Sequence, residues 1–246
     1  MKAAPEAQRR LLDLSELDAG LDRLRHRRRT LPELAEIEET SKRLAQLATQ
    51  VIAAETEAGD LSRDQAKAES DVDAVRVRGE RDQKRLDSGQ VSSPKDLASL
   101  QSEIASLHRR QGDLEEVVLE IMERREAVDT QVSSLKSERD EVTAALASSG
   151  DRRDAAFAEL DKETAELQGK RSGITDDIPA DVLGLYEKLR DQSGTGAAML
   201  QGGRCLGCRT SLSIADLNRI RAAAPDEVVR CEECRRILVR TLESGL

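Results

Sequence analysis

The sequence predicts a mainly α fold: a long antiparallel coiled-coil hairpin with a small C-terminal β zinc ribbon. Three observations carry that prediction. Apolar residues recur in alternating steps of three and four along two stretches of nearly equal length. A short run rich in Ser, Gly and Pro separates the stretches. All four cysteines of the 246-residue chain lie in its last 42 residues.

Composition sets the frame. Charged residues make up 35% and aromatics 1%, with Phe157 and Tyr186 the sole examples. A thick globular core needs large apolar side chains, whereas abundant Ala, Glu, Arg, Leu and Asp at helical spacing belongs to long paired helices. Disorder is the competing reading of so much charge, and the regular Leu/Val/Ile pattern opposes it.

The first arm begins with Leu14, Leu17, Leu21, Leu24 and Leu31. The alternation breaks at Leu31, Leu34 and Ile37, where Pro32 sits and Thr30 and Glu33 have capping-box spacing, so a kink or a fresh helix start is expected there. From Ile37 the seam continues through Leu44, Leu47, Val51, Ala54, Ala58, Leu61, Ala68, Val72, Val75 and Leu86, with gaps at Thr40, Gln65, Gly79 and Asp82. Its many Ala residues predict close approach and a thin interface.

A turn follows. In Ser88-Gly89-Gln90-Val91-Ser92-Ser93-Pro94-Lys95-Asp96, Ser93 can cap a new helix, Pro94 suits its first position and Asp96 stands where a capping-box acid would. The second arm, counted from Leu97 to Ile174, has apolar residues at sixteen of 23 seam positions without a phase slip. Gly150 is a soft spot within it. Arms of roughly 80 residues joined by a short turn become antiparallel neighbours. A register in which residue i faces about 182 − i places Val75 beside Leu107, and Leu24 near Phe157 and Leu160. A parallel homodimer is the alternative pairing.

Gly173, the pair Asp176-Asp177 and Pro179 end the second arm. Val182 to Arg190 reads as a short helix with Val182, Leu185, Tyr186 and Leu189 on one face, and Asp191 to Gly196 as a flexible link. The organisation expected is a hairpin over 1–175, with its turn at 88–95 and kink near 30–34. A short helix and linker over 176–196 and a ribbon over 197–246 complete it.

The chemistry resides in Cys205, Cys208, Cys231 and Cys234. Their spacing is C-x2-C, 22 residues, C-x2-C. Each pair can chelate one ion from a tight knuckle, and four thiolates close a tetrahedral shell with no open position, so one structural Zn2+ is expected. A ribbon of this size gains on the order of 10 kcal/mol from its metal. A redox dithiol and two local disulfides are the competing readings; without a thioredoxin-like βαβ pattern, zinc stands first and an iron–sulfur centre second. Strands are expected at Ala197–Leu200, Val228–Arg230 and Ile237–Val239, with a helix capped by Ser213 and Asp216 and running through Arg221.

Several function classes recede. Net charge is −9, so the chain as a whole does not attract nucleic acid. No apolar run approaches the ~20 residues that cross a bilayer, and the polar start lacks the apolar stretch of a secretory signal. A cytoplasmic location is expected, with neither membrane nor small-molecule substrate among the partners. No G-x-x-x-x-G-K-[ST] occurs, and no acid–base or nucleophilic constellation is found, so an enzyme is not expected. The scarcity of aromatics opposes a base-stacking platform. Arg204, Arg209, Arg219, Arg221, Arg230, Arg235, Arg236 and Arg240 remain as a candidate nucleic-acid or partner face on the ribbon, against six acids. The run Arg23, Arg25, His26, Arg27, Arg28 and Arg29 could hold phosphate, but the register sets it opposite Glu159, Asp161 and Glu163, which favours a salt-bridged face. His26 and His108 read as surface residues.

Two segments also carry a family resemblance. One is the tip, Ser88-Gly89 and Ser93-Pro94-Lys95-Asp96-Leu97 through Leu100-Gln101-Ser102-Glu103-Ile104. The other is Arg204-Cys205-Leu206-Gly207-Cys208, with Leu217-Asn218-Arg219-Ile220 and Val229-Arg230-Cys231-Glu232-Glu233-Cys234-Arg235-Arg236-Ile237-Leu238. The chain resembles bacterial C4-type zinc-ribbon proteins with a coiled-coil hairpin, a family associated with flagella, type III secretion and sigma factors. The resemblance implies a kinked hairpin with the ribbon near its open end and zinc on the four cysteines. It also implies a non-enzymatic adaptor binding an alternative sigma factor, secretion components or messenger RNA. Glu232, Glu233 and Arg235 depart from the family pattern, which often has Pro and Gly there. The expected function is a zinc-binding regulatory factor that touches RNA or DNA through the ribbon and uses the hairpin as a partner-binding arm. The alternative is a protein–protein adaptor or chaperone with purely structural zinc.

Overall fold

In a computed structural model describing residues 1–246, the chain forms two compact units, one of residues 35–150 and one of residues 1–34 with 151–246. The main helices are α1 (Pro5–Arg29), α2 (Pro32–Asp87) and α3 (Pro94–Thr175). Gly150 does not interrupt α3. The break at residues 30–31 is present, but Thr30 does not cap α2: its Oγ1 donates back to the His26 carbonyl at 3.0 Å and closes α1. Pro32, which forces the preceding residue out of helical geometry, is sufficient to restart the helix.

Within residues 35–150, α2 and α3 run antiparallel around the turn at Ser88–Ser93, where Gly89 adopts φ 67°. The buried seam of α2 is Leu47, Val51, Ala54, Leu61 and Ala68, in steps of four, three and then whole heptads, and α3 contributes Leu100, Ile104 and Val128. Most other seam residues are half-buried, because one neighbouring helix covers only one side of a helix. The polar gaps in the seam find one another: Arg125 Nη1 donates to Gln65 Oε1 at 3.0 Å.

Inter-arm contacts bracket the expected register: Arg78 pairs with Glu103 and Arg43 with Glu138 close to it, while Glu55 pairs with Lys136 further along. Leu107 lies beside both Gly79 and Val75. Equal arms locate the turn, and side-chain contacts set the local stagger.

In the other unit, α4 spans Ala180–Ser193 and α5 spans Ile214–Ala222. The strands are β1 (Ala197–Gln201), β2 (Arg204–Cys205), β3 (Val229–Arg230) and β4 (Ile237–Arg240), ordered β2-β1-β4-β3. The outer pairs are antiparallel hairpins, while β1 and β4 pair in parallel from Ala197↔Ile237 to Leu200↔Arg240. Period-two alternation splits β4 between two cores. Ile237 and Val239 join Leu11, Leu14, Val182, Tyr186 and Leu189 on one face; Leu238 joins Leu200, Ile220 and the cysteines on the other. The ribbon therefore shares its sheet with α1 and α4.

Two features bind it closely. The stretch read as a flexible link is the end of α4 and a tight turn: Gly194 is left-handed at φ 79°, and Gly196 lies against Tyr186 where no Cβ fits. Ahead of α1, Ala3 N–H donates to Asp226 O at 2.8 Å and Val228 N–H to Met1 O at 3.1 Å. Residues 1–34, the start of the expected hairpin, thus pack into one unit with 151–246, which includes the segments 176–196 and 197–246.

A buried ion cluster in this unit had no counterpart in the sequence reading. Asp18, 1% exposed, accepts from Tyr186 Oη at 2.7 Å and from Arg171 Nε at 2.7 Å. Arg190 Nε lies 3.2 Å from the same carboxylate, an ion pair without hydrogen-bond alignment. Burial pushes the Tyr186 phenol up, and its hydrogen bond to Asp18 adds to the shift. The clue was available: Leu11, Leu14, Asp18 and Leu21 step by three and four, placing an acid on an apolar stripe.

Candidate metal centre

Two knuckles of matching geometry carry the cysteines. In the first, Arg209 N–H donates to Cys205 O at 2.7 Å and Cys205 N–H to Thr210 O at 3.1 Å. In the second, Arg235 N–H donates to Cys231 O at 2.9 Å and Cys231 N–H to Arg236 O at 3.0 Å. Each knuckle closes on a left-handed residue, Arg209 at φ 62° and Arg235 at φ 64°. This conformation favours glycine and costs a side-chain-bearing residue roughly 1 kcal/mol. The departure at Arg235 from the family pattern is therefore a local strain within the same backbone path.

The four Sγ atoms lie within 4.8 Å of one another. Cys205 and Cys234 are 3.8 Å apart and Cys208 and Cys231 3.9 Å. A tetrahedron of Zn–S bonds of ~2.3 Å has edges of about 3.8 Å, so these separations fit one zinc ion. A disulfide needs ~2.05 Å, and all four thiols are free. Cys205 and Cys231 are fully buried, beneath Leu200, Leu212, Ile220 and Leu238.

Burial pushes the Cys205 thiol up to about 12 and raises that of Cys231. The Thr210 hydroxyl, followed by the Thr210 backbone, draws Cys208 down to about 6. Zinc, when bound, supplies the charge that holds the buried sulfurs as thiolates. Four protein ligands leave no position for substrate or activated water, so the centre is structural.

The eight candidate arginines divide. Arg240 reaches the backbone oxygens of Ile220, Ala223, Ala224, Pro225 and Glu227, fastening the end of α5 and the segment after it. Arg236 donates to Ser193 O and Thr195 O. Arg219 and Arg235 share Glu232, at 2.7 and 3.7 Å. Arg230 Nε donates to Arg235 O at 2.8 Å and Arg221 Nη1 to Asn218 Oδ1 at 3.3 Å, while Arg204 and Arg209 are exposed and meet no carboxylate. The structure does not gather the eight into one free face. In the Arg23–Arg29 run, Arg28 pairs with Asp161 and stacks 4.2 Å above the Phe157 ring, and Arg25 pairs with Asp22. His26 and His108 are exposed.

Comparison with known proteins agrees with this geometry. Residues 14–194 match the CT398-like coiled coil hairpin domain, and residues 204–238 match the C4-type zinc ribbon domain. The chain belongs to the CT398-like coiled-coil hairpin family. Two of its relatives, from Mycobacterium tuberculosis strains CDC 1551 / Oshkosh and ATCC 25618 / H37Rv, are each 40% identical over 240 residues, covering 98% of both chains. Both are described as uncharacterized proteins. A Mycobacterium smegmatis structure superposes with a TM-score of 0.84 at 38% identity, covering 98% of this chain and 100% of that one. CT398 of Chlamydia trachomatis shares the fold at a TM-score of 0.71 and 18% identity, over 96% and 98% of the two chains. This CT398-like protein contains no helix long and apolar enough to cross a membrane.

Proposed function

We propose that the protein is a non-enzymatic, cytoplasmic protein–protein adaptor in which zinc is purely structural. One observation carries the reading: the thiol cluster is closed, and five of the eight ribbon arginines are committed to backbone oxygens or to Glu232. A centre without an open ligand position does no hydrolytic chemistry, and arginines already bound within the fold offer little to phosphate. The resemblance of the sequence to sigma-factor and secretion adaptors points toward a protein partner; which partner follows from experiment. Affinity capture of the full chain from its native host, with and without nuclease, tests this. Protein that stays bound after nuclease treatment is the expected result, and loss of all captured material on treatment would overturn it.

Nucleic-acid binding is the second reading, favoured by the exposed guanidiniums of Arg204 and Arg209, which meet no carboxylate. Phosphate contacts are strongest at low salt, so the full chain should then bind RNA or DNA at ~50 mM salt and release it as salt rises. No affinity there removes this reading.

A further inference from the structure

Within residues 35–150, a cluster of apolar side chains faces solvent on α3 between Val117 and Met122. Five of those six residues are apolar: Val117, Val118, Leu119, Ile121 and Met122. At 3.6 residues per turn they spread over roughly 200° of the helix, wider than one neighbouring helix covers. Val118 and Ile121 occupy the seam and are half-buried. Val117, Leu119 and Met122 remain 44%, 58% and 46% exposed. Leu119 stands between two hollows, one lined by Gln65, Met122 and Glu126 and the other by Val72, Val118 and Glu69. Isolated exposed leucines are ordinary, but a contiguous cluster beside hollows marks an interaction surface.

Charge identifies the occupant. Residues 57–73 of α2 and 113–129 of α3 together carry thirteen Asp and Glu against four Lys and Arg. That balance of −9 equals the net charge of the whole chain, so the rest of the molecule is neutral. Asp60, Asp73 and Asp129 are paired within their own helices. Glu116, Glu120 and Glu123, spaced four and three apart alongside the apolar cluster, are exposed. A second copy of this chain would bring the same negative field, and nucleic acid would be repelled. A cationic, apolar surface complements both features.

We propose that this face docks a basic amphipathic helix of a protein partner. Its apolar residues seat beside Leu119 and Met122, and its Lys and Arg flanks lie along Glu116, Glu120 and Glu123. The proposal rests on the adaptor reading and supplies the chemistry of that partner.

The test uses the full-length, zinc-loaded protein and a fluorescent peptide with Leu and Lys at amphipathic helical spacing, read by anisotropy. The control peptide has the same composition in scrambled order. Saturable binding of the amphipathic peptide alone is expected, weakened roughly tenfold or more by Leu119→Ser with Met122→Ser. Glu116→Gln, Glu120→Gln and Glu123→Gln together should weaken binding and flatten its salt dependence. All five side chains are exposed, so unchanged far-UV circular dichroism is expected in both variants. Equal binding of the scrambled peptide, or wild-type affinity in both variants, overturns the proposal. So does self-association that Leu119→Ser with Met122→Ser abolishes, since the face would then join two copies. Nuclease-resistant capture alongside a negative peptide result rejects this site but leaves the adaptor reading; failure of both rejects both.

Discussion

Removing the Asp18 carboxylate should destabilise the unit of residues 1–34 and 151–246 more than any surface change can. Its side chain is 2% exposed, while Arg171 and Arg190 beside it are 24% and 17% exposed. Asp18→Ala deletes the acceptor for the Tyr186 hydroxyl and for Arg171 Nε, and strands two guanidiniums that Glu187 and Asp22 only partly compensate. Each hydrogen bond to a charged group contributes about 1.5–3 kcal/mol, and breaking a buried ion pair from one side costs about 3–5 kcal/mol. The arginines keep some contact with water, so the lower end applies, roughly 3 kcal/mol. That is a large share of a typical stability of about 5–15 kcal/mol.

Urea denaturation measures this directly. The chain has one Tyr and no Trp, so intrinsic fluorescence reports Tyr186, within the perturbed core, while far-UV circular dichroism follows the helices. Asp18→Asn, which keeps an acceptor for the phenol but not the charge, should lose about half as much. A loss below about 1 kcal/mol in Asp18→Ala would refute the argument, because the cluster would then behave as an exposed ion pair.

Metal analysis of reduced protein should find about one zinc per chain, and Cys208→Ser should lower its retention while keeping most far-UV helicity; metal-independent folding of the ribbon would contradict this. Arg235→Gly should stabilise the zinc-loaded protein by up to roughly 1 kcal/mol in thermal denaturation, because the φ of 64° suits glycine; a clear loss would show that the exposed pair with Glu232 outweighs the strain. Tyr186 holds its proton more tightly when folded, so its stabilising contribution is complete below ~10, the unfolded phenol's value, and disappears as pH rises above it. The near-ultraviolet phenolate band should therefore stay absent from native protein just above pH ~10 and appear on unfolding; a normal titration in the native state would reject the buried hydrogen bond.

How far the sequence speaks depends on whether a feature is local or arises from distant parts of the chain. The seam, the turn at Ser88–Ser93, the restart at Pro32 and the two knuckles are written in neighbouring residues, and so were legible. Four sulfurs at ribbon spacing specify their own convergence, because tetrahedral coordination admits few alternatives. The stagger between the arms was legible only to within a turn or two, because individual side chains set it locally: Arg78 with Glu103 and Arg43 with Glu138 keep the expected register, while Gln65 meets Arg125. The union of ribbon and hairpin base was hidden for a related reason. Strand β4 alternates Ile237, Leu238 and Val239, which declares two buried faces, and the metal core fills only one. The other face demanded a cover from elsewhere in the chain. Leu11 and Leu14 of α1 and Val182, Tyr186 and Leu189 of α4 supply it. A two-faced apolar strand in a four-cysteine ribbon is thus itself a sign that the ribbon is docked, and Asp18 on the apolar stripe of α1 marks where the docking is fixed by charge.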